Sequence, residues 1–166
     1  MLAGMGFAVY VLHYFDRTGT TWADDPTIRL HFATWMRTIG DALTFISTQP
    51  QVDAARIAIL GFSLGAYLAL AAATRDNRVK AVVDFFGGLP QELCNDLHHI
   101  PPVLILHGEA DTTVPVSEAY HLQNLLEARG APHEIKIYPG AGHQFDAATM
   151  MDAAHRALAF LNRTLR

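Results

Sequence analysis

The stretch RIAILGFSLGAYLALAAAT, Arg56 to Thr74, passes from an aliphatic run through a glycine-flanked serine into a segment of little but alanine and leucine. The run Arg56–Leu60 lacks polar alternation, which is the pattern of a strand buried on both faces, and Leu64–Thr74 reads as a buried helix. Ser63 stands at the junction, with Gly61 and Gly65 two residues to either side. A serine at such a strand-to-helix turn is forced into a tight backbone conformation that lifts its hydroxyl above the sheet edge. Glycines at these positions let helix and strands approach closely.

The same alternation continues in both directions. Four further apolar runs, Phe7–Leu12, Val79–Phe85, Val103–His107 and Glu134–Tyr138, are expected strands. The gaps carry helical spacing. Pro26 suits a first helical turn, and Ile28, Phe32, Trp35, Ile39, Leu43 and Ile46 recur at steps of three or four until Pro50. A third helix is expected from Val116 to Arg129, opened by Ser117 and closed by Gly130, and a last one over Ala147–Leu165 with Met151, Ala154, Leu158 and Leu161 on its apolar face. This is an α/β chain of about five mostly parallel strands flanked by helices. With no repeat, linker or low-complexity tract, residues 1–166 read as one domain.

Composition narrows the partners. The 166 residues include 51% hydrophobic and 17% charged, enough to bury a single core, and the net charge is −4. Two lysines, Lys80 and Lys136, and scattered arginines form no basic stripe, so nucleic acid is not an expected partner. The longest apolar runs fall far short of the ~18 residues of a bilayer span, and the N-terminus lacks the basic region of a secretory signal. A soluble, cytoplasmic protein is the expectation. The lone Cys94 has no neighbouring cysteine and reads as a small buried hydrophobe.

A serine hydroxyl is a weak nucleophile at neutral pH. It needs a histidine base and a carboxylate to orient that base, and on this kind of fold they follow in the order serine, acid, histidine. His107-Gly-Glu109-Ala-Asp111 follows the strand Val103–His107, and Gly140-Ala-Gly-His143 follows the strand Glu134–Tyr138. Both loops lie at carboxyl ends of strands, the edge at which open α/β sheets bind ligands. Glu109 and Asp111 are rival acids two residues apart.

Gly-Phe-Ser-Leu-Gly, His-Gly-Glu-Ala-Asp-Thr-Thr-Val-Pro and Gly-Ala-Gly-His-Gln-Phe together resemble the dienelactone hydrolase family of the α/β-hydrolase fold, over nearly the whole chain. The resemblance implies Ser63 as nucleophile, Asp111 as orienting acid, in preference to Glu109, and His143 as general base. Some family members carry cysteine in place of the serine and favour the enol lactone that names the family. Serine here turns the expectation toward ordinary small carboxylic esters or lactones. No cofactor or metal is implied. Tyr14-Phe15-Asp16-Arg17 resembles the family segment whose arginine holds a substrate carboxylate, so Arg17 is a candidate anion ligand, the alternative being a solvated loop arginine.

The chain departs from the family pattern at its beginning. Its first expected strand matches the family strand after the oxyanion loop, so the earlier strands and that loop have no counterpart here. One oxyanion donor is then the Leu64 N–H, directly after the nucleophile, and the other is unassigned. Direct pairing of Phe7–Leu12 with Arg56–Leu60 is expected, because a gap would leave backbone groups unpaired. That pairing would bring His13–Arg17 beside Ser63 and offer the N–H of Tyr14 or Phe15 as second donor. Completion of the edge by another copy of the chain, in a homo-oligomer, is one alternative. Another is a start upstream of Met1, since Met1-Leu2-Ala3-Gly4 reads as a helix end.

The remaining histidines, His13, His31, His98, His99, His107, His121, His133 and His155, show no metal-ligand spacing with a carboxylate. Phe15, Trp22, Phe62, Phe86 and Leu89 are either acyl-pocket lining or plain core. Three functions compete: a serine esterase acting through an acyl-enzyme, a binding protein that lost efficient catalysis with the oxyanion loop, and a peptidase-like acyl hydrolase.

Overall fold

A computed structural model describes residues 3–94 and 99–165. The chain divides into two compact units, Met1–Ala55 and Arg56–Arg166. His98 and the first two residues of the expected N-terminal helix end lie outside the described residues.

The first unit is built on α1, Asp25–Ile46. Asp24 caps its start by accepting a hydrogen bond from the Thr27 N–H at 3.0 Å, and Pro26 occupies the first turn, where its missing N–H costs nothing. Trp35, Ile39 and Leu43, spaced by four, are its buried residues. Each contributes about 1.5–3 kcal/mol by leaving water. Against them packs a short 3-10 turn, Tyr14–Thr18, whose Tyr14 and Phe15 rings lie 5.7 and 4.8 Å from the Trp35 ring. The indole N–H donates to Thr18 Oγ1 at 2.9 Å.

The second unit holds a parallel sheet of four strands, β1 Ile57–Phe62, β2 Val79–Phe85, β3 Val103–Gly108 and β4 His133–Tyr138, ordered β1-β2-β3-β4. The central strands β2 and β3 are buried throughout except for Lys80, as continuous apolar runs require. Three helices connect and cover them: α2 Leu64–Ala73, α3 Ser117–Ala128 and α4 Ala147–Thr164. The side chains of α2 are so small that it packs close against β1 and β2, with Ala66, Leu68 and Ala69 wholly buried.

Three expectations fail. Residues 7–12 form no strand, and the expected pairing with the strand after Arg56 is absent with it. A β-branched run makes a strand only when a neighbouring ladder takes up its backbone groups, and here Ala8 to Leu12 are exposed, Val11 at 78%. The inward face of α4 is Ala153, Ala157, Phe160 and Leu161; of the expected stripe Leu161 is buried, Ala154 and Leu158 are half-buried, and Met151 is 60% exposed. Both stripes have helical period; Phe160, the larger side chain, goes inward. Cys94 is only partly buried, its Sγ 3.7 Å from the Pro90 carbonyl.

Candidate active site

The register aligns the carboxyl ends of the strands: Phe62 pairs with Phe85, Phe85 with Leu106, and Gly108 with Tyr138. Whatever follows each strand therefore emerges at one edge. Strand β1 runs two residues further than its apolar run suggests, so Gly61 and Phe62 are still in the ladder and Ser63 is the first residue beyond it.

Ser63 has φ 52° and ψ −124°, outside the regions an L-residue normally occupies. The conformation is held from both sides. The Ser63 N–H donates to Phe85 O at 2.9 Å, while Ser63 O accepts from Ala66 N at 2.8 Å to begin α2. A Cβ at Gly61 would stand 2.4 Å from Gly65 O, so the helix can leave the strand this sharply only over a glycine. Leu64 N–H, first in α2, has no intrahelical acceptor and is free to meet an external charge.

His143 arrives on the loop after β4. Its Nε2 lies 3.0 Å from Ser63 Oγ, and its Nδ1 lies 2.7 Å from Asp111 Oδ2. With the proton on Nδ1 donated to the carboxylate, Nε2 is left to accept the Ser63 hydroxyl proton. Asp111 Oδ1 accepts from the Thr113 and Val114 N–H groups at 2.8 and 2.9 Å. Burial works against the Asp111 charge, and the hydrogen bonds from His143, Val114 and Thr113 outweigh it, holding the carboxyl below its ordinary range. Glu109 is exposed, its N–H on Tyr138 O. Of the two rival acids, the fold brings Asp111 to the imidazole.

Gly108 makes this meeting possible. A Cβ there would lie 2.3 Å from Ala141 O and 2.6 Å from Gly142 O, the backbone that delivers His143. Because the obstacle is backbone, Gly108→Ala is expected to cost about 3 kcal/mol of stability. An unchanged urea midpoint would contradict this account of the glycine.

One aromatic ring, Phe86, stands against the histidine and is itself packed among other phenylalanines. Phe86 is edge-on to the imidazole at 4.9 Å and to Phe145 at 5.1 Å, and Phe62 lies against Phe85 and Phe86 at 4.6 and 5.9 Å. Phe86 has φ 45°, a strained value for a bulky residue. Of the expected pocket residues, Phe62 is 47% exposed, Phe86 and Leu89 are buried, and Trp22 is 72% exposed. Phe15 belongs to the cluster on α1. Arg17 is paired with Asp41 at 2.8 Å and reaches Thr38 Oγ1 at 3.3 Å. Among the described residues no group of three His, Cys, Asp or Glu is arranged to hold a metal ion.

Beneath Phe86, Asp84 is wholly buried. One carboxylate oxygen accepts from Gly87 N at 2.8 Å and the other has no partner. Burial drives its pKa from the ordinary 3.8 to about 7, against the opposing Gly87 bond. Between those values the folded chain keeps a proton that the unfolded chain has released, so Asp84 lowers stability as pH rises from about 4 to about 7. Asp84→Asn keeps the acceptor for Gly87 without the charge. Denaturation at pH 5 and pH 7 should show the variant gaining on the parent by roughly 1.4 kcal/mol per pH unit; a pH-independent gap would refute the assignment.

A parallel sheet with a strained serine at the turn into a helix, and with acid and histidine on later loops of the same edge, defines the α/β-hydrolase fold. Esterase PE8 superposes with a TM-score of 0.73 at 27% identity, covering 87% of this chain and 67% of that one. A dienelactone hydrolase homologue from Klebsiella pneumoniae shares the fold at a TM-score of 0.71 and 23% identity, covering 90% and 72%. Within that class the chain belongs to the dienelactone hydrolase family, whose profile matches residues 2–164. A Salmonella typhimurium protein provisionally named carboxymethylenebutenolidase is 34% identical over 106 residues, 57% of this chain; the chain spans 38% of that relative's length. Among the described residues no helix is long and apolar enough to cross a membrane.

Proposed function

We propose that the protein is a serine hydrolase that cleaves small carboxylic esters or lactones through an acyl-enzyme on Ser63. The observation that carries this reading is the unbroken run of hydrogen bonds from Ser63 Oγ through the His143 ring to Asp111. His143 Nε2 takes the hydroxyl proton as Ser63 Oγ attacks the ester carbon. The resulting oxyanion is stabilised by Leu64 N–H, and His143 returns the proton to the leaving alcohol. Water then repeats the sequence on the acyl-enzyme, releasing the acid. Asp111 keeps the imidazole in the Nδ1–H tautomer and balances its charge during transfer. No cofactor enters these steps.

Phe62, exposed beside the nucleophile, is the proposed contact for the apolar part of the substrate. Arg17 as a carboxylate ligand would have to exchange Asp41 for the substrate. With no strand at 7–12, the ladder proposed to align the Tyr14 or Phe15 N–H with the oxyanion is gone, and Leu64 N–H is the donor retained. An oxyanion held by one donor in place of two typically forms about 10²- to 10³-fold more slowly, and a weakly catalytic binding protein is the alternative reading.

The experiment that decides between them is labelling with a fluorophosphonate followed by intact-mass and peptide analysis. One probe equivalent on Ser63 is expected; a folded protein that takes no label rejects the hydrolase.

A further inference from the structure

We propose that His107 is a positioning residue for Asp111, holding the acid's loop through a hydrogen bond to Val114. The inference rests on the hydrolase reading for its kinetic consequence, though not for its structural one.

His107 is the penultimate residue of β3 and its side chain is completely buried. Its Nε2 lies 2.9 Å from the Val114 carbonyl. A carbonyl can only accept, so Nε2 carries the proton. The other ring nitrogen, Nδ1, is buried with no hydrogen-bond partner. A buried nitrogen with no acceptor has nothing to receive its proton, so the geometry points to one proton, on Nε2; burial lowers the His107 pKa in the same sense, against the opposing effects of the Val114 bond, Asp111 and Glu118, with His143 adding to the lowering.

An unpartnered ring nitrogen in a strand core is a cost that an apolar side chain of the same size would avoid. What the histidine provides in exchange is the Nε2–H. That bond fixes Val114, and the Val114 N–H in turn donates to Asp111 Oδ1 at 2.9 Å, beside the Thr113 N–H at 2.8 Å. The opposite carboxylate oxygen, Oδ2, holds His143 at 2.7 Å and lies 3.5 Å from the His107 Nε2. At 3.5 Å the second contact is electrostatic support more than a hydrogen bond. The carboxylate thus has one oxygen bound to a turn that His107 secures and the other bound to the histidine that would act on Ser63.

The test compares two neutral amides. In His107→Gln the side-chain Nε2 reaches about as far as the imidazole Nε2 and can still donate to Val114 O. In His107→Asn the amide stops short. His107→Phe, which fills the ring's space without a donor, is read alongside in case the shorter side chain lowers stability. Folding is checked for each by circular dichroism.

Expected are a kcat on p-nitrophenyl acetate about 10- to 100-fold lower in the Asn and Phe variants with little change in KM, and near-parental values in the Gln variant. In an Asp111→Asn background the same changes should have almost no further effect, since both act through one carboxylate. Independently of turnover, the downfield proton resonance of the His143 Nδ1–H on Asp111 should weaken or move upfield in the Asn and Phe variants and not in Gln, as the hold on Asp111 loosens. Gln behaving like Asn, or an unchanged resonance in Asn and Phe, overturns the proposal. Loss of all labelling and turnover in the parent protein overturns the hydrolase reading instead, and the resonance still decides on His107.

Discussion

Ser63→Ala is expected to lower turnover of a short-chain p-nitrophenyl ester by about 10⁴- to 10⁶-fold, with the fold intact. The size follows from what is removed. Without Oγ there is no covalent intermediate, and the general base faces a methyl group; what remains is only the stabilisation offered by the Leu64 N–H and by substrate binding. Stability should change little or rise slightly, because the partly exposed hydroxyl has His143 as its partner while the strained backbone at φ 52° persists. The measurement is single-turnover and steady-state kinetics at equal, verified folded fraction. If the alanine variant retains a tenth of the parental rate, the nucleophile lies elsewhere.

The second large effect is expected at Asp111. Asp111→Asn should reduce kcat by about 10⁴-fold with KM nearly unchanged. An amide at this position can donate to His143 Nδ1, which favours the tautomer with its proton on Nε2. That nitrogen, 3.0 Å from Ser63 Oγ, could then no longer accept the hydroxyl proton. The amide also cannot balance the imidazolium that forms during proton transfer. Glu109→Gln, two residues away, is the control and should stay within about twofold, since exposed charges act weakly through water. Equal losses at the two positions would contradict Asp111 as the acid.

Much of the site was legible before any coordinates. The pentad around Ser63 lies between a strand and a buried helix, and each expectation depends on local pattern: uninterrupted aliphatic residues, a serine between glycines, then alanine and leucine; the strand itself, expected to be buried on both faces, stands at the edge of the sheet with only Ile57 and Gly61 buried. The carboxyl-end position of the loops carrying Asp111 and His143 follows from the same reasoning once the strands are parallel. The glycine at 108 stood in the motif, but that its missing Cβ clears Ala141 and Gly142 is a contact between segments more than thirty residues apart. His107 opens the motif that ends in Asp111, yet the motif assigned it no role; its significance is the carbonyl seven residues on.

The failed strand at 7–12 has the same cause in reverse. Phe7 to Leu12 has strand composition, yet composition reports only how a residue would fit a sheet, not whether a neighbour is there to pair. On α4, Met151 and Phe160 are both apolar and both on helical period, and the fold buries Phe160 while leaving Met151 exposed.

Sequence by itself determined the α/β class, four of the strands, the serine at the strand-to-helix turn and the two loops that carry Asp111 and His143. Those features are encoded by residues close together along the chain, where side-chain period and glycine placement act directly on the backbone. Only the tertiary structure decided that Asp111 and not Glu109 meets His143, that Phe86 walls the imidazole, and that His107 secures the acid's turn. The first two depend on distances of about 3 to 5 Å between segments that the chain keeps apart until the parallel sheet sets them edge to edge, and the third on the way the loop after β3 folds back over its own strand.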